Sequence, residues 1–255
     1  MYFRIMNIKN ASLLFSSFFK TIGYLFLFIV FTLFLDSSYM HAFFPQTQHI
    51  ATLVMLIGFG ILYYKSGSRI RKQMVYAVII GFVGEYLFSI GLGMYTYSLG
   101  NVPHYVPLGH AIVLMAAVYF CKDGLVRVHR KLIEKIFTIF IILYATLFLI
   151  FAADVFGFVM SMLVLFFLRN KPRERVFYLS MYVVVAFLEI IGTTYGCWYW
   201  PETAWDVIPF LKSANPPSGI SLVYFLLDLG TLWIYKKRHK IAWARMKNVR
   251  RLREL

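Results

Sequence analysis

Residues 132–168 read LIEKIFTIFIILYATLFLIFAADVFGFVMSMLVLFFL, an apolar run broken, past Glu134 and Lys135, only at Asp154 and Gly157. A membrane-spanning helix needs about 20 apolar residues, at about 1.5 Å per residue, to cross about 30 Å of hydrocarbon. The run reads either as one long helix or as two, over 132–151 and 153–168, joined by a tight hairpin at Asp154. Working outward, further apolar segments lie at 17–35, 48–64, 74–96, 106–121, 176–198 and 218–235. If the hairpin exists, eight spans alternate. The Lys and Arg of the N-terminus, 65–72, 122–135, 169–175 and 236–253 then share one face. That face holds 25 of the 26 basic residues and leaves only Lys212 opposite. A single long helix would carry Arg169, Lys171, Arg173 and Arg175 to the wrong side. The positive-inside rule therefore favours eight helices with both termini cytoplasmic.

Composition agrees. The chain is 60% hydrophobic and 15% charged over 255 residues, against about 45–50% and about 25% in soluble domains. Mean hydropathy is +0.70. The excess is spread along the whole length, so one signal peptide or anchor cannot supply it, and disorder, collagen, coiled coil and disulfide scaffolds are excluded. The expected fold is an all-α, multi-pass membrane protein, placed in a bacterial inner membrane. The net charge of +15 reads as a basic collar meeting anionic lipids at the cytoplasmic face, not as a nucleic-acid surface. The tail 236–255 carries Ile241, Ala242, Met246, Val249 and Leu252 among its cations and is expected to form an interfacial helix. Cys121 and Cys197 are expected near opposite faces, too far apart to pair.

The chain also reads twice. Lys65 ends one span; Glu85 follows, then Gly93-Met-Tyr95-Thr-Tyr97, then Pro107-Leu-Gly109 opening the next span. Arg169 ends another; Glu189 follows, then Gly196-Cys-Trp198-Tyr-Trp200, then Pro217-Ser-Gly219. Two four-helix repeats are expected, 1–121 (with its N-terminal segment) and 122–235. An even number of helices makes the repeat parallel, about an axis along the membrane normal. Such an axis brings Glu85 and Glu189 toward a common cleft.

Three acids sit at bilayer depth: Glu85, Glu189 and Asp228. Each costs roughly 2.5–3.5 kcal/mol on insertion scales, and no Lys or Arg shares their depth. Symmetry-related acids kept at that cost point to proton transfer, so these three are the candidate catalytic residues. The bland alternative is hydrogen-bonded glue between helices. Asp36 and Asp154, at helix ends, read as solvated turn residues. Tyr95, Tyr97, Tyr195, Trp198 and Trp200 fall near the outer boundary, where aromatic belts commonly anchor helix ends. Anchoring is the better reading for the two aromatic pairs. Lining a substrate cleft, with His110 and Asn215, is the alternative. His104 and His110 lack metal-ligand spacing, HExxH and aspartate-rich diphosphate motifs are absent, and no metal or cofactor is expected.

The block Gly84-Glu85, Gly91-Leu-Gly93-Met-Tyr95-Thr-Tyr97-Ser-Leu-Gly100 and Val106-Pro-Leu-Gly109-His110 resembles one in the membrane carotenoid hydratases. The resemblance implies acid-catalysed addition of water to an isoprenoid double bond. The leading expectation is thus a membrane enzyme using these acids on a lipid or isoprenoid by hydration, cyclisation or isomerisation. A small proton-coupled transporter with symmetric midplane glutamates is the rival, and an assembly subunit whose acids pair with a partner is a third. Oligomeric state is not readable from the sequence.

Overall fold

A computed structural model describes residues 16, 19–44 and 46–252; expectations for the N-terminal segment, the start of the first span and the last three residues lie outside these. A π-helical turn, Phe19–Gly23, leads into α1 (Tyr24–Leu35), followed by α2 (Ser38–Phe43), α3 (Thr47–Lys65) and α4 (Ser68–Glu85), which continues as a π-helical segment to Gly91. Then come β1 (Thr96–Tyr97), α5 (Tyr105–Lys122), a short α6 (Gly124–Val128), α7 (Arg130–Ala152), α8 (Val155–Leu168) and α9 (Arg175–Thr194). The chain ends with β2 (Trp198–Tyr199), β3 (Thr203–Ala204), β4 (Ile208–Lys212), α10 (Ser221–Arg238) and α11 (Lys240–Leu252).

Among the described residues, six helical segments are long and apolar enough to cross a membrane: Tyr24–Phe43 (α1 with α2), Thr47–Lys65, Ser68–Gly91, Tyr105–Lys122, Arg130–Ala152 and Arg175–Thr194. The described residues form a mostly helical membrane protein with two small β-ribbons. Helices also occupy the remaining two expected spans, but α8 has 14 residues, about 21 Å of rise. The other, α10, carries Asp228 and ends in Lys236, Lys237 and Arg238.

The hairpin at Asp154 is present. Ala153 takes a left-handed conformation, φ 52°, and ends α7. Asp154 then caps α8, its Oδ1 accepting from the backbone N–H of Gly157 at 3.0 Å. The same carboxylate accepts from the N–H groups of Ala214 at 3.1 Å and Ser218 at 2.7 Å, so it ties the loop before α10 to the hairpin. Asp36 accepts from the Tyr105 hydroxyl at 2.7 Å and lies 3.2 Å from His41 Nε2. Both acids are completely buried, which corrects the expectation of solvated turn residues. In each case the covering groups come from segments 60 or more positions away, Tyr105 for Asp36 and the Ala214–Ser218 backbone for Asp154, something local sequence does not display.

The core is centred on α5 and α9. Ala111, Val113, Met115 and Ala117 of the first, and Leu179, Met181, Tyr182 and Val185 of the second, are almost fully covered. Helix α5 packs on α3, α4 and α9; α10 packs on α4 and α9; α7 packs on α8 and α9. Helix α7 stays peripheral: Leu143, Leu147 and Phe151 are exposed, as suits a lipid-facing helix. Gly157 and Gly219 let α8 and the turn before α10 approach closely, since a Cβ on Gly219 would lie 2.2 Å from the Gly157 carbonyl oxygen. Both cysteines are free, Cys197 buried and Cys121 partly so.

Candidate functional site

Glu85 is the last residue of α4 before the π-helical segment, and Glu189 lies in the last two turns of α9. Each helix is followed by a glycine with positive φ, Gly93 at 58° and Gly196 at 67°, a conformation glycine adopts without a Cβ clash. These turns aim the strands that follow back over the helix ends. The strands β1 and β2 then pair antiparallel, Thr96 opposite Tyr199 and Tyr97 opposite Trp198. One glutamate-aromatic element from each half of the chain meets the other.

The aromatic side chains turn inward. Glu85 Oε2 accepts from the hydroxyls of both Tyr95 and Tyr97. Glu189 Oε2 accepts from the indole N–H of Trp198 at 2.8 Å and of Trp200 at 3.0 Å, and its Oε1 accepts from the Tyr224 hydroxyl at 2.8 Å. Tyr95, Tyr97, Trp198 and Trp200 are all buried. Their rings interlock, Tyr95 against Trp200 at 4.7 Å and Tyr97 edge-on to Trp198 at 6.2 Å between centroids. The belt reading of these pairs is therefore corrected: their polar atoms serve buried acids instead of the membrane boundary. Burial, and then the neighbouring Glu85, push the Tyr95 and Tyr97 phenols above the usual tyrosine range, so both remain donors.

The two acids differ in one respect. Glu189 has donors on both oxygens, and an indole N–H can only donate. Glu85 has both donors on Oε2, and among the described residues its Oε1 makes no hydrogen bond. Among the described residues neither acid is paired with Lys or Arg.

Both glutamates line one cavity, together with His110, Tyr105, Tyr224 and apolar side chains that include Phe28 and Met55. Its free volume is about 50 Å³, room for a few water-sized groups at roughly 10–15 Å³ each. His110 Nε2 lies 3.4 Å from Asp228 Oδ1, but not in line for a hydrogen bond. Apart from that approach, both His110 ring nitrogens, both Asp228 oxygens and Thr231 Oγ1 are buried and make no hydrogen bond among the described residues. Buried polar groups are nearly always satisfied, so this cluster stands out from the glutamates beside it.

Of the expected site residues, Glu85, Glu189, Tyr95, Tyr97, His110, Trp198 and Trp200 line the cavity, and Asp228 adjoins it through His110. Two do not reach it. Tyr195 lies edge-on to Phe34 at 5.9 Å, and its carbonyl accepts from the Ser38 N–H. Asn215 is exposed, and its Oδ1 accepts from the Trp200 N–H at 3.0 Å, which fixes the strand and not a ligand. Sequence reasoning missed Tyr224, although it precedes Asp228 by one helical turn on the same face of α10. Among the described residues, no three His, Cys, Asp or Glu side chains converge as a metal site.

No protein-family model, curated protein or solved structure matches the chain.

Proposed function

We propose that the protein is an integral membrane enzyme that performs acid/base chemistry on a lipid or isoprenoid double bond, by hydration, cyclisation or isomerisation. The observation that carries this reading is the meeting of Glu85 and Glu189, from opposite halves, in one largely apolar cavity with His110. An apolar chamber with a few convergent polar groups suits an apolar substrate that reacts at one point. Glu85, whose Oε1 is free, is the proton donor. Glu189, saturated by three donors, holds the aromatic wall in place. His110, with Asp228 behind it, is the second proton carrier. A carboxyl shielded from water can protonate an alkene that bulk water would not.

In the same reading all eight helices cross the membrane as two parallel four-helix repeats, 1–121 and 122–235, with both termini and the tail 236–255 at the cytoplasmic face of a bacterial inner membrane. The antiparallel β1–β2 pair supports this, because it relates the two halves by a local twofold. The carotenoid hydratase-like block contributes Glu85, Tyr95 and Tyr97 to the cavity, in keeping with an isoprenoid substrate. Anionic lipids contact the basic collar.

One observation favours a second reading, a small proton-coupled carrier. Tyr224, Asp228, Thr231 and Tyr235 follow a 4-3-4 spacing down one face of α10, from Glu189 toward its basic end. Such a polar stripe inside a membrane protein marks a proton path by default.

The test is mass spectrometry of lipid extracts from cells expressing wild type, Glu85→Gln or Glu189→Gln at equal protein levels. A species altered only by wild type supports the enzyme. Identical extracts in cells that contain isoprenoids, together with proton flux in liposomes lost in Asp228→Asn, support the carrier.

A further inference from the structure

A second opening lies on the outside of the bundle. Val54, Ile57, Gly58, Ile61 and Leu62 of α3, with Phe28 of α1, form an apolar groove of about 430 Å³ that ends at Lys65. Ile57, Ile61 and Lys65 are exposed, so the groove faces whatever surrounds the bundle. Phe28 also lines the cavity that holds the glutamates. One aromatic ring is therefore the wall between the two spaces.

That ring has a seat. A Cβ built on Gly58 would lie 2.7 Å from Phe28 Cζ, so the ring packs on bare backbone that only glycine leaves open. Gly60, two residues on, has nothing within 4 Å of the same position. The close approach is thus specific to the residue that faces Phe28.

The cavity's volume, about 50 Å³, holds the reacting end of a chain but not a long chain. From Val54 to Lys65 the groove follows α3 for about 17 Å, a length that suits a fatty-acyl or polyisoprenoid tail. We propose that this groove is the lateral entry and tail-binding site for the apolar ligand whose reacting end occupies the Glu85/Glu189 cavity, with Phe28 as the gate and Gly58 as its seat. The inference rests on the lipid-binding reading of the cavity and adds where the ligand enters and how it lies. The tail then points toward Lys65, and the reacting end toward the outer-loop aromatics.

The experiment uses the purified protein in lipid nanodiscs and a long-chain alcohol that carries a photoactivatable diazirine along the chain and a terminal alkyne. Irradiation followed by peptide mass spectrometry maps the labelled residues. Wild type is expected to label the groove residues Ile57, Ile61 and Leu62 and the cavity residues Met55 and Tyr105, with competition by excess unlabelled alcohol. Phe28→Ala should raise labelling of Tyr105 at least about threefold, and Gly58→Trp should lower it by a similar factor. Label on Leu143 and Leu147 of the peripheral helix α7 should stay constant, and equal thermal unfolding of both variants guards against misfolding. Even labelling of all lipid-facing helices, which bulk lipid contact alone gives, overturns the proposal; so does Tyr105 labelling that neither variant changes. Gated labelling without any product in cell extracts would keep the groove and sink the enzyme reading.

Discussion

Tyr97 and Trp198 face each other across the β1–β2 ladder, and each donates its polar hydrogen to a different glutamate, Tyr97 to Glu85 and Trp198 to Glu189. The pairing explains why two acids remain in an apolar protein without any Lys or Arg beside them. Each is solvated by aromatic donors, and the donors are locked together by two residues of β-ribbon.

Removing one donor should therefore be felt at the acid. Trp198→Phe leaves Glu189 Oε2 with one indole instead of two, and losing a buried partner costs about 1–3 kcal/mol. The expected result is a lower unfolding temperature in detergent. Most of that loss should disappear when Trp198→Phe is made in a Glu189→Leu background, because the acceptor is then gone too. Equal losses in both backgrounds would contradict the pairing.

Gly192 tests the same wall from behind. A Cβ there would lie 2.1 Å from the Trp198 ring. Gly192→Ala must push the indole away from Glu189 or shift α9, at about 1–3 kcal/mol for overpacking. Tryptophan fluorescence should change together with stability. Neither changing would mean that the indole sits elsewhere.

Asp154 accepts from the N–H groups of Gly157, Ala214 and Ser218. Asp154→Ala strands three backbone donors at about 1–3 kcal/mol each where water does not replace the carboxylate. A clear loss of folded protein in detergent is expected, and unchanged thermal unfolding would contradict the tie between hairpin and outer loop.

Orientation is tested by single-cysteine labelling in intact cells. Cysteine in place of Lys212 should react with an impermeant maleimide from outside, and cysteine in place of Arg173 only after permeabilisation. The reverse pattern would invert the topology.

Much of this was legible in the sequence. Hydropathy and the charge of Arg169–Arg175 located the hairpin at Asp154, because a lipid environment leaves few options for a long apolar run. The spacing of Glu85 to Tyr95 and Tyr97, and of Glu189 to Trp198 and Trp200, marked the site. The direction of those rings was not legible, since a boundary belt and a buried clamp share one composition. Their inward turn depends on the β1–β2 pairing, a contact between residues about a hundred positions apart. Asp36 and Asp154 looked solvated for the same reason: the groups that bond them, Tyr105 at the start of α5 in one case and the Ala214–Ser218 backbone in the other, come from distant parts of the chain. Tyr195 and Asn215 shared the right neighbourhood in sequence, but their side chains point out of the cavity.

In the proposed function Glu85 delivers a proton to carbon inside the membrane. Hydration, cyclisation and isomerisation of a double bond all pass through that step, so one measurement covers them. Purified wild type and Glu85→Gln would be incubated in D2O with the lipid fraction that wild type alters in cells, and deuterium in the product read by mass spectrometry. One carbon-bound deuterium per turnover is expected for wild type and none for Glu85→Gln. Equal incorporation by the two proteins, or product formed without carbon-bound deuterium, would contradict it.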